Sequence, residues 1–333
     1  MADPAGNPTW IDLAKAVLDD QISRWDAATC GGGLRWQIFT YNSGYTYKNS
    51  ASNGGFFQLA ARYARYTNNQ TYAAWAEEVY DWTTNISFID GQWNVYDGAE
   101  VTTNCTSIDK IQFSYLAATY ITGAAHMYNM TNGASKWKTA LDGLLNSTLS
   151  TFFTDDIMVE VACEPAQSCD TDTKAYKGMT ARWLAATVQM APYTSSIILP
   201  KLSASAQAAV KQCDGNDQCG FKWTTATSDG DTGLGQQMNA LAVVQALLVG
   251  SAALPVTAAT GGVAPGNSSS SSNSSSSSGP SNTSGAGASS SGTAGTSSTS
   301  ATSKPNLASS LTLETAKLGM LSVLFTFLAC MLL

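Results

Sequence analysis

Among 333 residues there is one histidine, His126. A Ser-His-Asp triad or a histidine metal centre is therefore disfavoured, and any acid–base chemistry has to rest on carboxylates. The segments with the strongest chemical character are polar and aromatic: Cys30-Gly-Gly-Gly-Leu-Arg-Trp-Gln37, the Thr40–Ser50 stretch, Ser52-Asn-Gly54, Tyr96-Asp-Gly98 and Asp229-Gly-Asp-Thr-Gly-Leu-Gly-Gln-Gln237. They interleave Asn, Gln, Asp and Arg with Tyr or Trp. That mixture suits a sugar, whose paired hydroxyls want planar polar groups and whose apolar ring face wants an aromatic plane. Trp36 and Tyr41 lie in such polar stretches and fit sugar platforms. Trp10, Trp75, Trp137 and Trp183 lie in helical patterns and fit a core, and His126, at a helix end beside Met127, reads as structural. Gly31–Gly33 could be a tight turn. It is not a phosphate loop, because Lys-Ser/Thr does not follow at the required spacing. Asp229–Gly235 lacks the alternating ligands and terminal Glu of a calcium loop.

These loops need rigid elements behind them. Trp10, Leu13, Ala14, Val17, Leu18 and Trp25 fall on one face at helical spacing. Further helical stretches are expected over Phe57–Ala64, Tyr72–Trp82, Ile111–Met127, Trp137–Phe153, Thr173–Met190 and Gly235–Val249, with Ser203–Gln212 weaker. Strand alternation is scarce: only Val159–Val161 and Leu34–Tyr41 suggest short strands. The pattern predicts an all-α domain of helix pairs.

Hydrophobic residues make up 44% of the chain and charged ones 12%, with a formal net charge of −7. Lysines and arginines form no cluster, which argues against a nucleic-acid partner. From Val256 to Ser303 the composition is mostly Ser, Thr, Gly and Asn, too poor in apolar surface to offset the entropy of ordering. The expected organisation is therefore a helical domain over 1–250, a disordered stalk over 251–305 and a terminal signal over 306–333. Six cysteines fall in the domain: Cys30, Cys105, Cys163, Cys169, Cys213 and Cys219. An even set fits disulfides of a secreted protein. Two local loops, Cys163 with Cys169 and Cys213 with Cys219, are the economical pairing, leaving Cys30 with Cys105. Zinc is the rival, and its usual ligand spacing is absent, so neither a metal nor a cofactor is expected. Glycosylation sequons occur at Asn69, Asn85, Asn104, Asn129 and Asn146, and again at Asn267, Asn273 and Asn282.

The two ends disagree. After Lys317 the chain ends in a run of 16 largely apolar residues that includes Cys330. That run is short for a membrane span. Small residues, a spacer and an apolar tail together form a glycosylphosphatidylinositol-anchor signal, with Asn306 the favoured attachment residue and Ser303 and Ser309 as alternatives. A tail-anchored helix is the rival. Anchoring requires the secretory pathway, with delivery to the outer face of the plasma membrane or the wall, yet Met1–Pro8 has no apolar leader core. The expectation is that this sequence belongs to a longer product.

The string Arg24-Trp-Asp followed by Thr29-Cys-Gly-Gly-Gly-Leu-Arg-Trp-Gln37 resembles fungal glycoside hydrolase family 76, the mannan endo-1,6-α-mannosidases. The likeness continues through Tyr47-Lys-Asn-Ser50, Ser52-Asn-Gly54, Asp97-Gly-Ala99, Asn104-Cys105, Met158–Glu164, Lys177, Arg182-Trp183, Cys219-Gly220 and Gly233–Met238. The resemblance implies an (α/α)6 toroid of paired helices, incomplete at its N-terminus because about eight helical stretches stand where twelve are implied. It implies action, by hydrolysis or transfer, on α-1,6-linked mannan or on mannose-containing anchor glycans. The partners implied are that glycan, the cell-wall polysaccharide and, through the lipid anchor, the membrane. Arg35, Trp36, Tyr41, Asn53, Asp97 and Gln236 match motif positions and are expected to bind sugar, and Glu160 and Glu164 to support them. The family's adjacent aspartates, nucleophile and acid/base of a retaining scheme, belong to a Gly-Asn-Asp-Asp-Gln-like motif not found here, so the catalytic residues are left unassigned. Asp19-Asp20-Gln21 falls in a later helix, with Asp19 pointing off the apolar face, and reads as surface. The alternative is a non-catalytic, anchored wall protein that binds carbohydrate. A toroid lacking a sector is also expected to expose apolar patches on its first and last helix pairs.

Overall fold

The computed structural model describes residues 8–261. The stalk beyond Gly261, Asn267, Asn273, Asn282, the anchor site at Asn306 and Cys330 lie outside the described residues. Eight α-helices dominate: α1 Trp10–Ser23, α2 Ser50–Thr67, α3 Gln70–Asn85, α4 Ser114–Met130, α5 Ser135–Thr151, α6 Tyr176–Met190, α7 Ser195–Lys211 and α8 Leu234–Ala246. Their packing separates two layers. The helices α2, α4, α6 and α8 pack in that order as an inner row, and α3, α5 and α7 each flank it. The row is an arc, since α8 does not pack back on α2 in the same way.

The sequence explains the layers. α4 is buried without a break from Ser114 to Met127, as a helix apolar all round must be. Close approach needs glycine. A Cβ on Gly123 of α4 would meet the Phe57 ring of α2 at 2.4 Å, and one on Gly178 of α6 would meet Asn239 of α8 at 2.8 Å. Local signals set the helix ends. The Thr9 hydroxyl accepts from the Asp12 amide at the start of α1, and Asn49 and Asn69 cap α2 and α3 in the same manner. Asn68 closes α2 in the left-handed conformation.

Several expectations are corrected. The apolar face of α1 is Ile11, Ala14, Leu18 and Gln21, with Leu13 exposed. Trp25 lies beyond the helix and packs edge-on against Phe56, Trp75 and Trp82. Val159–Val161 and Leu34–Tyr41 form no strand. The strands are β1 Tyr47–Asn49, β2 Gly98–Glu100, β3 Ile108–Asp109, β4 Phe153–Thr154 and β5 Ile157–Met158. They make one antiparallel sheet in the order β1-β2-β3 and one β4-β5 hairpin. Residues 251–261, assigned above to the stalk, instead lie along the domain, with the carbonyls of Ala253 and Pro255 accepting from Gln189 and Arg65. The last helix exposes Leu234, Met238, Leu241 and Val244 at helical spacing, whereas α1 exposes only Leu13 among its large apolar residues.

Inner-to-outer turns are short (68–69, 131–134, 191–194), while the connectors entering the inner helices are long (24–49, 86–113, 152–175, 212–233). All four long connectors therefore gather at the N-terminal ends of the inner helices. Disulfides Cys30–Cys105, Cys163–Cys169 and Cys213–Cys219 stitch them. Lys48, fully buried, donates to the carbonyls of Asp26, Thr29 and Gly32 and pairs with the Asp26 carboxylate at 3.4 Å. The glycine run makes that cradle possible. Gly32 and Gly33 have positive φ, and a Cβ on Gly33 would strike the Trp82 indole at 2.3 Å. Burial pulls the Lys48 ammonium down to about 8, against the pull of Asp26. It is still mainly charged at neutral pH.

Replacing Lys48 with Met leaves the carbonyls of Asp26, Thr29 and Gly32 without their ammonium donor, while the Asp26 carboxylate keeps Arg35. The expected cost is about 3 kcal/mol of unfolding free energy, read by urea denaturation at pH 7. A loss below ~1 kcal/mol would show that the cradle does not hold the first connector.

Candidate functional site

Where the inner helices begin, the connectors deliver a band of aromatic and acidic side chains. Pairing of β1 with β2 places Lys48 opposite Ala99 and Asn49 opposite Gly98, which brings Tyr47 and Asp97 together. The Tyr47 hydroxyl donates to Asp97 Oδ2 at 2.8 Å. Trp36 stands edge-to-face with Tyr47, ring centroids 6.4 Å apart, and its other side lies on Gly44. At the start of α4 and α6, Tyr115 and Tyr176 meet at 4.1 Å between centroids, and Phe113 joins Tyr176 at 5.5 Å. Burial raises the Asp97 carboxyl above the usual range, Tyr47 opposes the shift and the Asp109 charge adds to it.

Next to these groups lies a polar network of Ser114, Glu160, Glu164, Lys177 and Thr180 in which, among the described residues, only Glu164 Oε1 is buried without a hydrogen-bond partner. Glu160, fully buried, accepts from the Ser114 amide at 3.0 Å and its hydroxyl at 2.6 Å, and Thr180 donates to the same Ser114 hydroxyl. Glu164 accepts from the Glu160 amide and from Lys177. Lys177, also fully buried, donates to the Phe221 carbonyl and lies over the rings of Phe221 and Trp223. Burial pushes the Glu160 carboxyl up to about 7, with Ser114 and Lys177 pulling the other way.

The residues expected to bind sugar divide. Trp36 is 39% exposed and Tyr41 79% exposed, the latter stacked on Phe39. Asp97 sits in the band described above. Arg35 pairs with Asp26 at 2.8 Å, donates to the Tyr45 carbonyl and lies over the Tyr45 ring. It also lines a 270 Å³ pocket with Arg24, Gln37 and Tyr45. Asn53 and Gln236 are corrected to structural roles. Asn53 is fully buried, its amide spent on the backbone of Leu34 and Asn49. Gln236 is buried and donates to Asp231. Asp19 and Asp20 lie on α1, paired with Lys15 and Arg24. Glu160 and Glu164 lie in the polar network beside the band. The sequence reading missed Phe113, Tyr115 and Tyr176. The available signal was position, since each sits where a long connector turns into an inner helix. The side chains of Asn69, Asn85 and Asn146 are exposed. Asn104 and Asn129 are also exposed; Asn69, Asn104 and Asn129 each accept a hydrogen bond, from the Thr71 amide, the Cys30 amide and Arg65 respectively. Among the described residues no cluster of His, Cys, Asp and Glu could hold a metal.

The profile described as glycosyl hydrolase family 76 matches residues 1–259. The chain belongs to that family. It is 45% identical over 272 residues to the mannan endo-1,6-α-mannosidase DFG5 of Saccharomyces cerevisiae, covering 80% of this chain and 59% of that protein. The crystal structure of Dfg5 from Chaetomium thermophilum in complex with glucosamine superposes with a TM-score of 0.74 at 46% identity, over 76% of this chain and 64% of that one. An inactive variant of an α-1,6-mannanase of Salegentibacter, with two successive aspartates replaced and α-1,6-mannotriose bound, superposes with a TM-score of 0.61. At 16% identity, over 71% of this chain and 68% of that one, it shows a shared fold. The chain thus spans about 60% of the length of the curated relatives it matches.

The buried carboxyl makes stability depend on pH. A folded-state pKa near 7 against 4.5 unfolded means the native state holds the extra proton between those values. Stability contributed by Glu160 is complete below pH 4.5 and is lost as pH rises through 7. Buried His126, lowered to about 3 by desolvation, has the opposite slope, losing stability as pH falls from 6.5. Glu160→Gln keeps the His126 slope and removes the other. Between pH 4.5 and 6.5 the two slopes oppose each other in the parent, so the variant should gain stability with rising pH there, and across pH 4.5–7.5 it should gain about 3 kcal/mol relative to the parent, read by urea denaturation across that range. Parallel pH profiles for the two proteins would refute the assignment.

Proposed function

We propose that this chain forms the substrate-binding wall of a mannan endo-1,6-α-mannosidase, acting by hydrolysis or transfer on α-1,6-linked mannose chains of the fungal wall. The observation that carries this is the pair of aromatic groups at the inner-helix starts, Trp36 and Tyr47 with Asp97, and Phe113, Tyr115 and Tyr176. Their ring planes and hydrogen-bonding groups suit a neutral sugar. The high identity to named mannan endo-1,6-α-mannosidases supports the choice of sugar.

A second reading, binding without cleavage, is favoured by one specific observation. Among the described residues the adjacent acidic pairs are Asp19–Asp20, Glu77–Glu78 and Asp155–Asp156. The first two lie on α1 and α3 outside the inner row, and Asp156 is tied to Lys201 of α7. Retaining cleavage needs two carboxyl groups only about 5 Å apart across the scissile bond. On this reading the protein is a non-catalytic wall protein that binds mannan.

We further propose a secreted, glycosylated protein held at the outer face of the plasma membrane or in the wall through a lipid anchor. The paired cysteines, the sequons and the composition of the terminal segment support this.

α-1,6-Mannotriose should bind the purified chain, and Asp97→Ala or Trp36→Ala should weaken binding roughly tenfold each, measured by calorimetry. Absence of binding by the parent chain would defeat the proposed function. Release of reducing ends from α-1,6-mannan by the chain alone would instead eliminate the binding-only reading.

A further inference from the structure

A second groove lies on the outer wall, where the 86–113 connector meets two outer helices. It runs between α3 and α5 and has a volume of about 600 Å³, within the range of small-molecule sites. Its lining includes Tyr80, Thr84, Trp93, Ser135, Lys136 and Thr139. Trp93 is held there by design of the local chain. Its φ of 66° is in the left-handed region, which a bulky residue rarely adopts. Asp90 sustains that conformation by accepting from the amides of Gln92 and Asn94, from the Asn94 side chain and from the Tyr96 hydroxyl. Asn94 in turn accepts from Ser147 of α5. The indole rests on Gly143 of α5, where a Cβ would approach within 2.3 Å. The ring is therefore positioned before any ligand arrives.

The charges around the groove are already matched. Asp90 is saturated by its own turn, and Lys136 is clamped between Glu77 at 2.6 Å and Asp81 at 2.7 Å. What remains for a ligand is an indole, a tyrosine ring and three hydroxyl-bearing residues. A charged ligand would have to break one of these ion pairs, whereas a neutral polyhydroxylated one would not. We propose that this groove is an accessory binding site for a neutral oligosaccharide, separate from the cleft wall. The choice of an α-1,6-mannoside as its ligand rests on the function proposed above.

The test is titration of the isotope-labelled chain with α-1,6-mannotriose, following the indole N–H resonances of Trp93 and Trp36, each assigned by a Trp→Phe variant. The Trp93 resonance should move, and Thr139→Phe, which fills the groove without touching the cleft, should weaken that response about tenfold and leave the Trp36 response intact. If Trp36 responds and Trp93 does not, the accessory site is wrong and the cleft reading survives. If Trp93 alone responds, the accessory site stands and the cleft reading falls. If neither responds, both fall.

Discussion

Two buried ammonium groups govern this architecture. An inner helix that is apolar all round can pack in a row, but it cannot organise the long connector that leads into it. Lys48 solves this for the first connector and Lys177 for the fourth. Each is fully buried; Lys48 gathers three backbone carbonyls and Lys177 holds that of Phe221. A carbonyl buried without a donor is costly, so the lysine substitutes for secondary structure. The partner carboxylates, Asp26 and Glu164, keep the charge tolerable. Because both lysines stand at the beginnings of inner helices, loop conformation is tied to helix packing.

That coupling gives the site its character. The side chains at that end are aromatic rings and one carboxyl, Asp97, held by the Tyr47 hydroxyl, not a field of exposed ions. A neutral sugar gains from such a surface because its hydroxyls meet fixed donors and acceptors and its apolar face meets a ring. The adjoining Glu160 network has every hydrogen-bonding member of Ser114 and Thr180 engaged. It gives the starts of α4 and α6 one geometry, which keeps Tyr115 on Tyr176.

Much of this was legible in the residues. All eight helices follow from apolar periodicity, and the cysteine spacing suggested the three disulfides found. The failures share a cause. Asn53 and Gln236 carry the functional groups of sugar ligands, and nothing in their type says that the groups are spent on backbone and Asp231. The strands at Tyr47–Asn49 and Gly98–Glu100 are three residues long, too short for alternation to register. Their pairing is fixed by a disulfide and a lysine cradle contributed from distant positions. Leu13 looked buried because its neighbours were. The rotation of α1 is decided by what α2 offers it, which periodicity alone does not contain.

The two ends of the inner helices differ in how they tolerate strain. At the C-terminal ends the turns are short and a single left-handed cap such as Asn68 suffices. At the N-terminal ends the connectors hold Cys30, Trp93, Asn104, Cys105, Asp155, Asp156, Gln167 and Asp217 at positive φ. Each such residue costs of the order of 1–3 kcal/mol. Three disulfides and two buried lysines are concentrated at that same end. The constraint and the strain therefore occur together, as they must if the loops are to stay in one conformation without a ligand. The short-turn end needs no such reinforcement, and there the segment after α8 lies against Gln189 and Arg65 with two hydrogen bonds. The fold thus gathers most of its costly conformations at the connector end, where the disulfides and buried lysines hold them.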